Sequence, residues 1–136
     1  KINVGSALVE KDASGEENLY SMKARGRDLI SGLPKTFEVS NKDMEAALYE
    51  SMELIIDALK STVEKAPPEI AADIAEKGMV LSGGGGMIEN LDKLISQRTG
   101  MIVEKAKYPQ EAVALGTGKS LDNIEKLRKY VDAKKR

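Results

Sequence analysis

The chain has 136 residues, enough for one ordinary domain or for a large part of a bigger one. Its 41% hydrophobic and 32% charged residues are typical of a globular protein rather than a disordered or membrane-embedded one. The net charge of −1 gives no general attraction to nucleic acid. Cysteine and histidine are absent, which excludes disulfides, thiol catalysis, a Ser-His-Asp triad and the commonest zinc ligand.

The start of the chain carries little local information. Residue 1 is Lys rather than Met, and the first residues offer neither a helix cap nor a clear strand start. No signal peptide and no apolar run of membrane-spanning length is evident. We therefore expect a cytoplasmic protein, and we expect this chain to have been cut from a longer one.

The first 40 residues have the pattern of a small antiparallel sheet. Residues 19–25 and 35–39 alternate between apolar and polar side chains, which predicts two half-buried strands. The apolar face of the first strand consists of Tyr20, Met22 and Ala24. Phe37 and Val39 form the corresponding face of the second. Glycine, proline and serine between the strands predict a turn.

After Ser40 the period changes to that of a helix. Apolar side chains at spacings of three and four predict one long amphipathic helix: Met44, Leu48, Met52, Ile55, Leu59 and Val63. Ser40 and Asp43 resemble a capping box at its start. Pro67 and Pro68 end this helix, and Pro68 suits the first turn of a second, short helix that stops at Gly78.

The remainder alternates between strands and helices. Residues 79–81 predict a short buried strand, and a run of glycines follows it. A helical stripe ends at Gly100 and consists of Ile88, Leu91, Leu94 and Ile95. Residues 101–103 predict a second strand, and Pro109 opens a further helix. This alternation favours an α/β layer with parallel strands.

The segment Val80–Ile88, with the sequence VLSGGGGMI, is the motif that most suggests a ligand-binding site. Glycines after a strand let the backbone adopt positive φ and approach a flat ligand. N–H groups that open the following helix favour an anion or a polar edge. The spacing therefore fits a nucleotide site, but it fits a tight turn with close helix–strand packing equally well.

A second glycine motif, Gly116–Ser120, resembles the end of a phosphate-binding P-loop. A complete P-loop requires another glycine at position 113, which is Val113. It also requires a strand directly before the motif, whereas this motif lies within a helical pattern. We interpret Gly116 and Gly118 as positions where the helix packs closely against a neighbour.

Four collinear segments resemble the MreB/Mbl family of bacterial actin-like proteins. These are RGRDLISGLPKT at residues 25–36, APPEIAADI at 66–74, GMVLSGGGGMI at 78–88 and AVALGTGKSL at 112–121. The resemblance implies part of an actin-like ATPase fold of the ribonuclease H-like α/β class. It implies subdomain IIB plus the closing part of subdomain IIA. The boundaries would be a helix end of IIA at 1–7, subdomain IIB at 8–65 and the end of IIA at 66–136.

The resemblance also implies the site residues. The adenosine contacts of the family fall on Gly84, Gly85, Gly86 and Met87, with Gly83 shaping the turn. Lys1 aligns with the last residue of the family's E-x-x-K motif beside the adenine and ribose. No residue is assigned to catalysis or to a metal, because the family's phosphate and Mg²⁺ groups lie upstream.

The implied function is that of an ATP-binding, filament-forming cytoskeletal protein that directs cell shape and cell-wall synthesis. Its partners would be further copies of itself and cell-wall elongation proteins, but not nucleic acid. Filaments would lie in the cytoplasm along the membrane, which only parts absent from this chain would touch. The alternatives are a protein-binding adaptor that binds no nucleotide, or part of an Hsp70-type chaperone or a sugar kinase. An open cleft at residues 83–87 favours nucleotide binding, and a filled turn favours the adaptor.

Overall fold

The structure is a computed structural model that describes residues 4–125 and 127–128. Within these described residues, four strands and four α-helices have defined bounds. The strands are β1 (Ser21–Arg27), β2 (Pro34–Ser40), β3 (Met79–Leu81) and β4 (Val103–Lys105). The helices are α1 (Asn41–Glu64), α2 (Pro68–Lys77), α3 (Leu91–Thr99) and α4 (Ala112–Asp122). A 3₁₀ turn covers Gly85–Met87.

β1 and β2 form the predicted antiparallel hairpin. Met22 pairs with Val39 and Ala24 pairs with Phe37, so the predicted apolar faces meet on one side of the sheet. The tip is ordered by Asp28, whose Oδ1 accepts hydrogen bonds from the N–H groups of residues 30 and 31. These two donors lower the pKa of the Asp28 carboxyl. The charged form of Asp28 is therefore the one that holds the tip.

Helix α1 starts at the predicted capping box. Asp43 donates its backbone N–H to the Ser40 hydroxyl and accepts the Ser40 N–H at 2.9 Å. The prediction for the buried face is wrong at one position: Ile56 is 1% exposed, whereas Ile55 is 47% exposed. Both residues are aliphatic and adjacent, so hydrophobicity alone does not choose between them. The choice is made by the contact with α3.

Helix α2 begins at Pro68 and stops at Gly78 as predicted. β3 and β4 then pair in parallel, which confirms the predicted layer. The second strand lies two residues later than predicted, and β3 is half-buried rather than buried because Val80 faces solvent. The glycine stretch and the left-handed Gly100 bracket α3, in which the predicted residues Leu91, Leu94 and Ile95 are buried. Ile88, the first residue of the predicted stripe, precedes the helix and is only partly buried.

The hydrophobic core lies where α1 meets α3 and the segment before β1. It consists of Ala7, Met52, Ile56, Leu91, Leu94 and Ile95. Arg98 and Glu53 form an ion pair at 2.8 Å along the edge of this contact. The core therefore holds α1, which follows the hairpin, against the helix that follows the glycines.

Three further expectations are corrected. Residues 4–7, assigned to a helix end, are not helical, because their backbone forms a bridge to Glu89. Helix α4 begins at Ala112 rather than at Pro109. A Cβ added at Gly116 or Gly118 would meet nothing within 4 Å among the described residues, so the expected close packing is wrong. Among the described residues, no helix is long and apolar enough to cross a membrane.

Candidate functional site

The glycine stretch forms a sharp turn at the end of β3. Gly83 adopts a φ of +80°, a conformation that glycine reaches without the steric cost of a Cβ. Its N–H donates to the carbonyl oxygen of Pro109 at 2.6 Å. This bond brings the segment after β4 to the segment after β3, so both strand ends contribute to one edge of the parallel pair.

Gly84 and Gly85 are the open part of the turn. A Cβ at either position would meet no atom within 4 Å in the described part of the chain. Within that same part, the N–H groups of Gly84 and Gly85 are donors in no hydrogen bond. Backbone free of side chains, with unused donors, is suited to the close approach of a ligand.

Gly86 has a different role, because it is buried against the strand. A Cβ there would lie 3.3 Å from the Cβ of Leu81. The predicted helix does not follow directly after the glycines. A 3₁₀ turn intervenes, in which Met87 and Ile88 donate to the carbonyl oxygens of Gly84 and Gly85. The predicted tight packing therefore applies at Gly86, and the predicted open approach applies at Gly84 and Gly85.

These glycines line a cleft with a volume of about 500 Å³. The glycine turn with Met87 contributes to its walls, and so does α1. The lining residues are Gly5, Met44, Leu48, Gly84, Gly85, Met87, Ile88, Glu89 and Gln110. The walls are mainly apolar and carry few polar side chains, as is usual in small-molecule sites of this size. The open cleft favours the nucleotide interpretation over a filled turn.

The sequence did not identify several of these lining residues. Met44 and Leu48 belonged to the predicted core stripe of α1, and only the packing of that helix shows that they also border the cleft. Gln110 reaches the cleft through the hydrogen bond from Gly83 to Pro109. Glu89 lies directly after the predicted motif. Lys1, the remaining predicted contact, lies outside the described residues.

An ion pair fixes the end of the glycine turn. Lys105 at the end of β4 donates to the Ile88 carbonyl oxygen at 3.2 Å and pairs with Asp92 at 3.1 Å. Partial burial raises the pKa of Asp92, but the hydrogen bond and charge of Lys105 outweigh this and leave that pKa below its usual value. Asp92 is therefore ionised at neutral pH, and its ion pair with Lys105 holds that side chain beside the turn.

The cleft combines open glycine backbone with apolar side chains. Gly84 and Gly85 offer a cradle that any Cβ would fill, and Met44, Leu48 and Met87 offer apolar contact to a flat ring. The described residues contain no group of three or more acidic side chains that could hold a metal ion.

Comparison with known proteins gives concordant matches. The profile of the family described as MreB/Mbl protein matches residues 1–129. The cell shape-determining protein Mbl of Bacillus subtilis (strain 168) is 42% identical over 128 residues. This match covers 94% of the chain and 37% of the relative, so the chain spans little more than a third of that relative's length.

Two solved structures share the fold. MreB5 of Spiroplasma citri bound to ADP superposes with a TM-score of 0.81 at 31% identity, covering 93% of this chain and 36% of that one. The same protein bound to AMPPNP gives a TM-score of 0.82 at 29% identity, with 95% and 37% covered. The predicted partial actin-like α/β fold is thereby confirmed.

Proposed function

Because the chain belongs to the MreB/Mbl protein family, we propose that it is the C-terminal part of an actin-like cytoskeletal protein and supplies the adenosine side of its ATP site. The observation that carries this proposal is the cleft at the glycine turn. Gly84 and Gly85 offer open backbone with unused N–H donors in a cleft that apolar side chains of α1 also line. The chain would then comprise subdomain IIB at 8–65 and the end of IIA at 66–136.

The adenine ring would lie between the glycine turn and the apolar side chains, and the ribose would approach the N–H groups. Gly83 would shape the turn, and Gly86 would fix it to β3. Binding of ADP and of AMPPNP by the solved MreB5 protein supports a nucleotide as the ligand. Phosphoryl transfer requires charge neutralisation around the γ-phosphate. We place that equipment, Mg²⁺ included, outside this chain.

The proposed cellular role is assembly into cytoplasmic, membrane-associated filaments that determine cell shape and guide cell-wall synthesis. The cell shape-determining function in the name of the Bacillus subtilis relative supports this role. The hairpin tip supports self-association, since Leu29 and Ile30 are 99% and 100% exposed on an ordered turn. Aliphatic side chains presented this way are suited to contact with another protein surface.

Titration of the isolated chain with ATP tests the proposal. The backbone amide resonances of Gly84 and Gly85 should shift in NMR spectra, with saturation only at millimolar ATP, because half of the cleft would be missing. ATP turnover should be absent. Micromolar affinity or measurable hydrolysis would contradict the proposed division of the site, and unmoved glycine resonances at millimolar ATP would contradict the site itself.

A further inference from the structure

The cleft has walls from two separate parts of the chain. Met44 and Leu48 belong to α1, which continues directly from the hairpin, whereas Gly84, Gly85 and Met87 follow β3. A flat ligand between such walls is bound well only if their separation is held constant. Whatever spans the two walls beside the cleft therefore affects affinity without touching the ligand.

A side-chain hydrogen bond beside the glycine turn joins the two parts of the chain that form the walls. The hydroxyl of Tyr20, which directly precedes β1, donates to Oε2 of Glu89, which follows the 3₁₀ turn. The two residues are 69 positions apart in sequence. Glu89 also lines the cleft, so the bond ends on the cleft wall itself.

Tyr20 is fixed firmly on the hairpin side. Its backbone N–H donates to Oδ1 of Asn41 at 3.1 Å, and its carbonyl oxygen accepts the Asn41 N–H at 3.0 Å. Asn41 is the first residue of α1 and is buried, and its side-chain amide donates further to Asn18. The tyrosine backbone thus moves with the start of α1, the same helix that carries Met44 and Leu48.

Glu89 is fixed equally firmly on the glycine side. Its carbonyl oxygen accepts the Ala7 N–H at 2.8 Å, and its N–H donates to the Gly5 carbonyl oxygen at 3.2 Å. The next residue, Asn90, has a left-handed backbone, and its side-chain amide donates to the Leu8 carbonyl oxygen at 2.9 Å. Two backbones with little freedom are therefore joined by one bond.

We propose that Tyr20 is a positioning residue for the nucleotide cleft, acting through Glu89 to hold the glycine turn at a fixed distance from α1. The inference rests on the proposed nucleotide site. Tyr20 does not line the cleft, so its effect passes through the glutamate. The same bond ties the orientation of the hairpin to the geometry of the site, so a ligand in the cleft and a contact on the hairpin would influence each other.

The chemistry of the pair suits this role. A phenol that donates to a carboxylate makes a charge-assisted hydrogen bond, which is stronger than a bond between neutral groups. Partial burial, and after it the hydrogen bond to Glu89, raise the pKa of the Tyr20 hydroxyl above its usual value. Tyr20 therefore remains a proton donor throughout the physiological pH range.

The test is an ADP titration of the unmodified chain and of four variants, followed by NMR of the glycine amides. Tyr20→Phe should weaken ADP binding by about threefold to tenfold, as expected for one lost hydrogen bond. Glu89→Ala should weaken it at least as much. Glu89→Gln should bind more tightly than Glu89→Ala, because its amide oxygen still accepts the phenol hydrogen. The double variant Tyr20→Phe/Glu89→Ala should bind no worse than Glu89→Ala alone.

The matched control is Tyr49→Phe, which removes a hydroxyl from a half-exposed tyrosine on α1 away from the cleft and should leave ADP affinity unchanged. Equal affinity of Tyr20→Phe and the unmodified chain would overturn the positioning role and leave the nucleotide site standing. Losses that multiply in the double variant would also overturn it, because the two residues would then act independently. No ADP binding by the unmodified chain would overturn both.

Discussion

Gly78 lies so close to Ile102 that a Cβ at position 78 would be 2.6 Å from the Ile102 carbonyl oxygen. That oxygen accepts the N–H of Met79 at 2.8 Å, so it cannot move without breaking the start of the β3–β4 pair. Gly78 also has a φ of +78°, a backbone conformation that residues with a side chain rarely adopt. The end of α2 and the parallel strands are therefore in direct backbone contact.

Gly78→Ala should accordingly destabilise the chain by roughly 2–4 kcal/mol, from the clash and the strained φ together. Chemical denaturation measures this change in the free energy of unfolding. Gly15→Ala is the matched control: its φ is +87°, but its Cβ would meet nothing within 4 Å. It should cost only the backbone strain, about 1–2 kcal/mol. Equal losses in the two variants would show that the contact with Ile102 is unimportant.

Gly85→Val tests the ligand contact without disturbing the fold. The position has open space around its Cβ, so the melting temperature should change little, whereas a branched side chain should occupy the proposed place of the base. ATP affinity should fall by roughly tenfold or more, equivalent to about 1.4 kcal/mol. Calorimetry or NMR titration measures it. Gly118→Val, an equally open glycine on α4, should bind as the unmodified chain does, and an unchanged Gly85→Val would argue against the site.

Ile56→Ala and Ile55→Ala form a pair that tests the orientation of α1. Ile56 is enclosed by the core, so its truncation should cost about 2–5 kcal/mol. Ile55 is half-exposed, and its truncation should cost under about 1 kcal/mol. Urea denaturation of both variants gives the comparison. A reversed order would mean that the helix is rotated by one residue relative to this structure.

The hairpin tip allows a test of self-association. Leu29→Ser combined with Ile30→Ser removes two exposed aliphatic groups but leaves the backbone bonds to Asp28 intact. In the full-length protein that the proposal implies, sedimentation of polymer with ATP should fall severalfold while the melting temperature stays the same. Ile70→Ser on α2 serves as a control on a half-exposed aliphatic residue elsewhere. An unchanged amount of sedimented polymer in the tip variant would show that the hairpin tip does not form the proposed contact.

Local sequence signals predicted the elements with strong periodicity or clear ends. The hairpin faces follow from the alternation of apolar and polar residues along each strand. The capping box at Ser40, the start of α2 at Pro68 and its end at Gly78 follow from interactions within a few residues. The turn role of Gly83 was implied by the family resemblance, and its positive φ fits that role.

Long-range contacts account for the predictions that failed. Residues 4–7 leave the helical conformation because they pair with Glu89, more than 80 residues away. The choice of Ile56 over Ile55 depends on α3, and the shift of β4 depends on pairing with β3. Met44 and Gln110 reach the cleft only through tertiary packing. Adjacent-residue patterns carry none of this information.

The hydrogen bond from Gly83 to Pro109 also has a thermodynamic consequence. It is a connection between the ends of two short strands, each of which has only the other as its partner in the described sheet. A small molecule bound at the turn would stabilise the same place. It would therefore raise the temperature at which these strands separate. A thermal-shift screen of nucleobases and nucleosides would therefore report binding at the glycine turn through the melting temperature of β3 and β4, even without direct contact between ligand and strands.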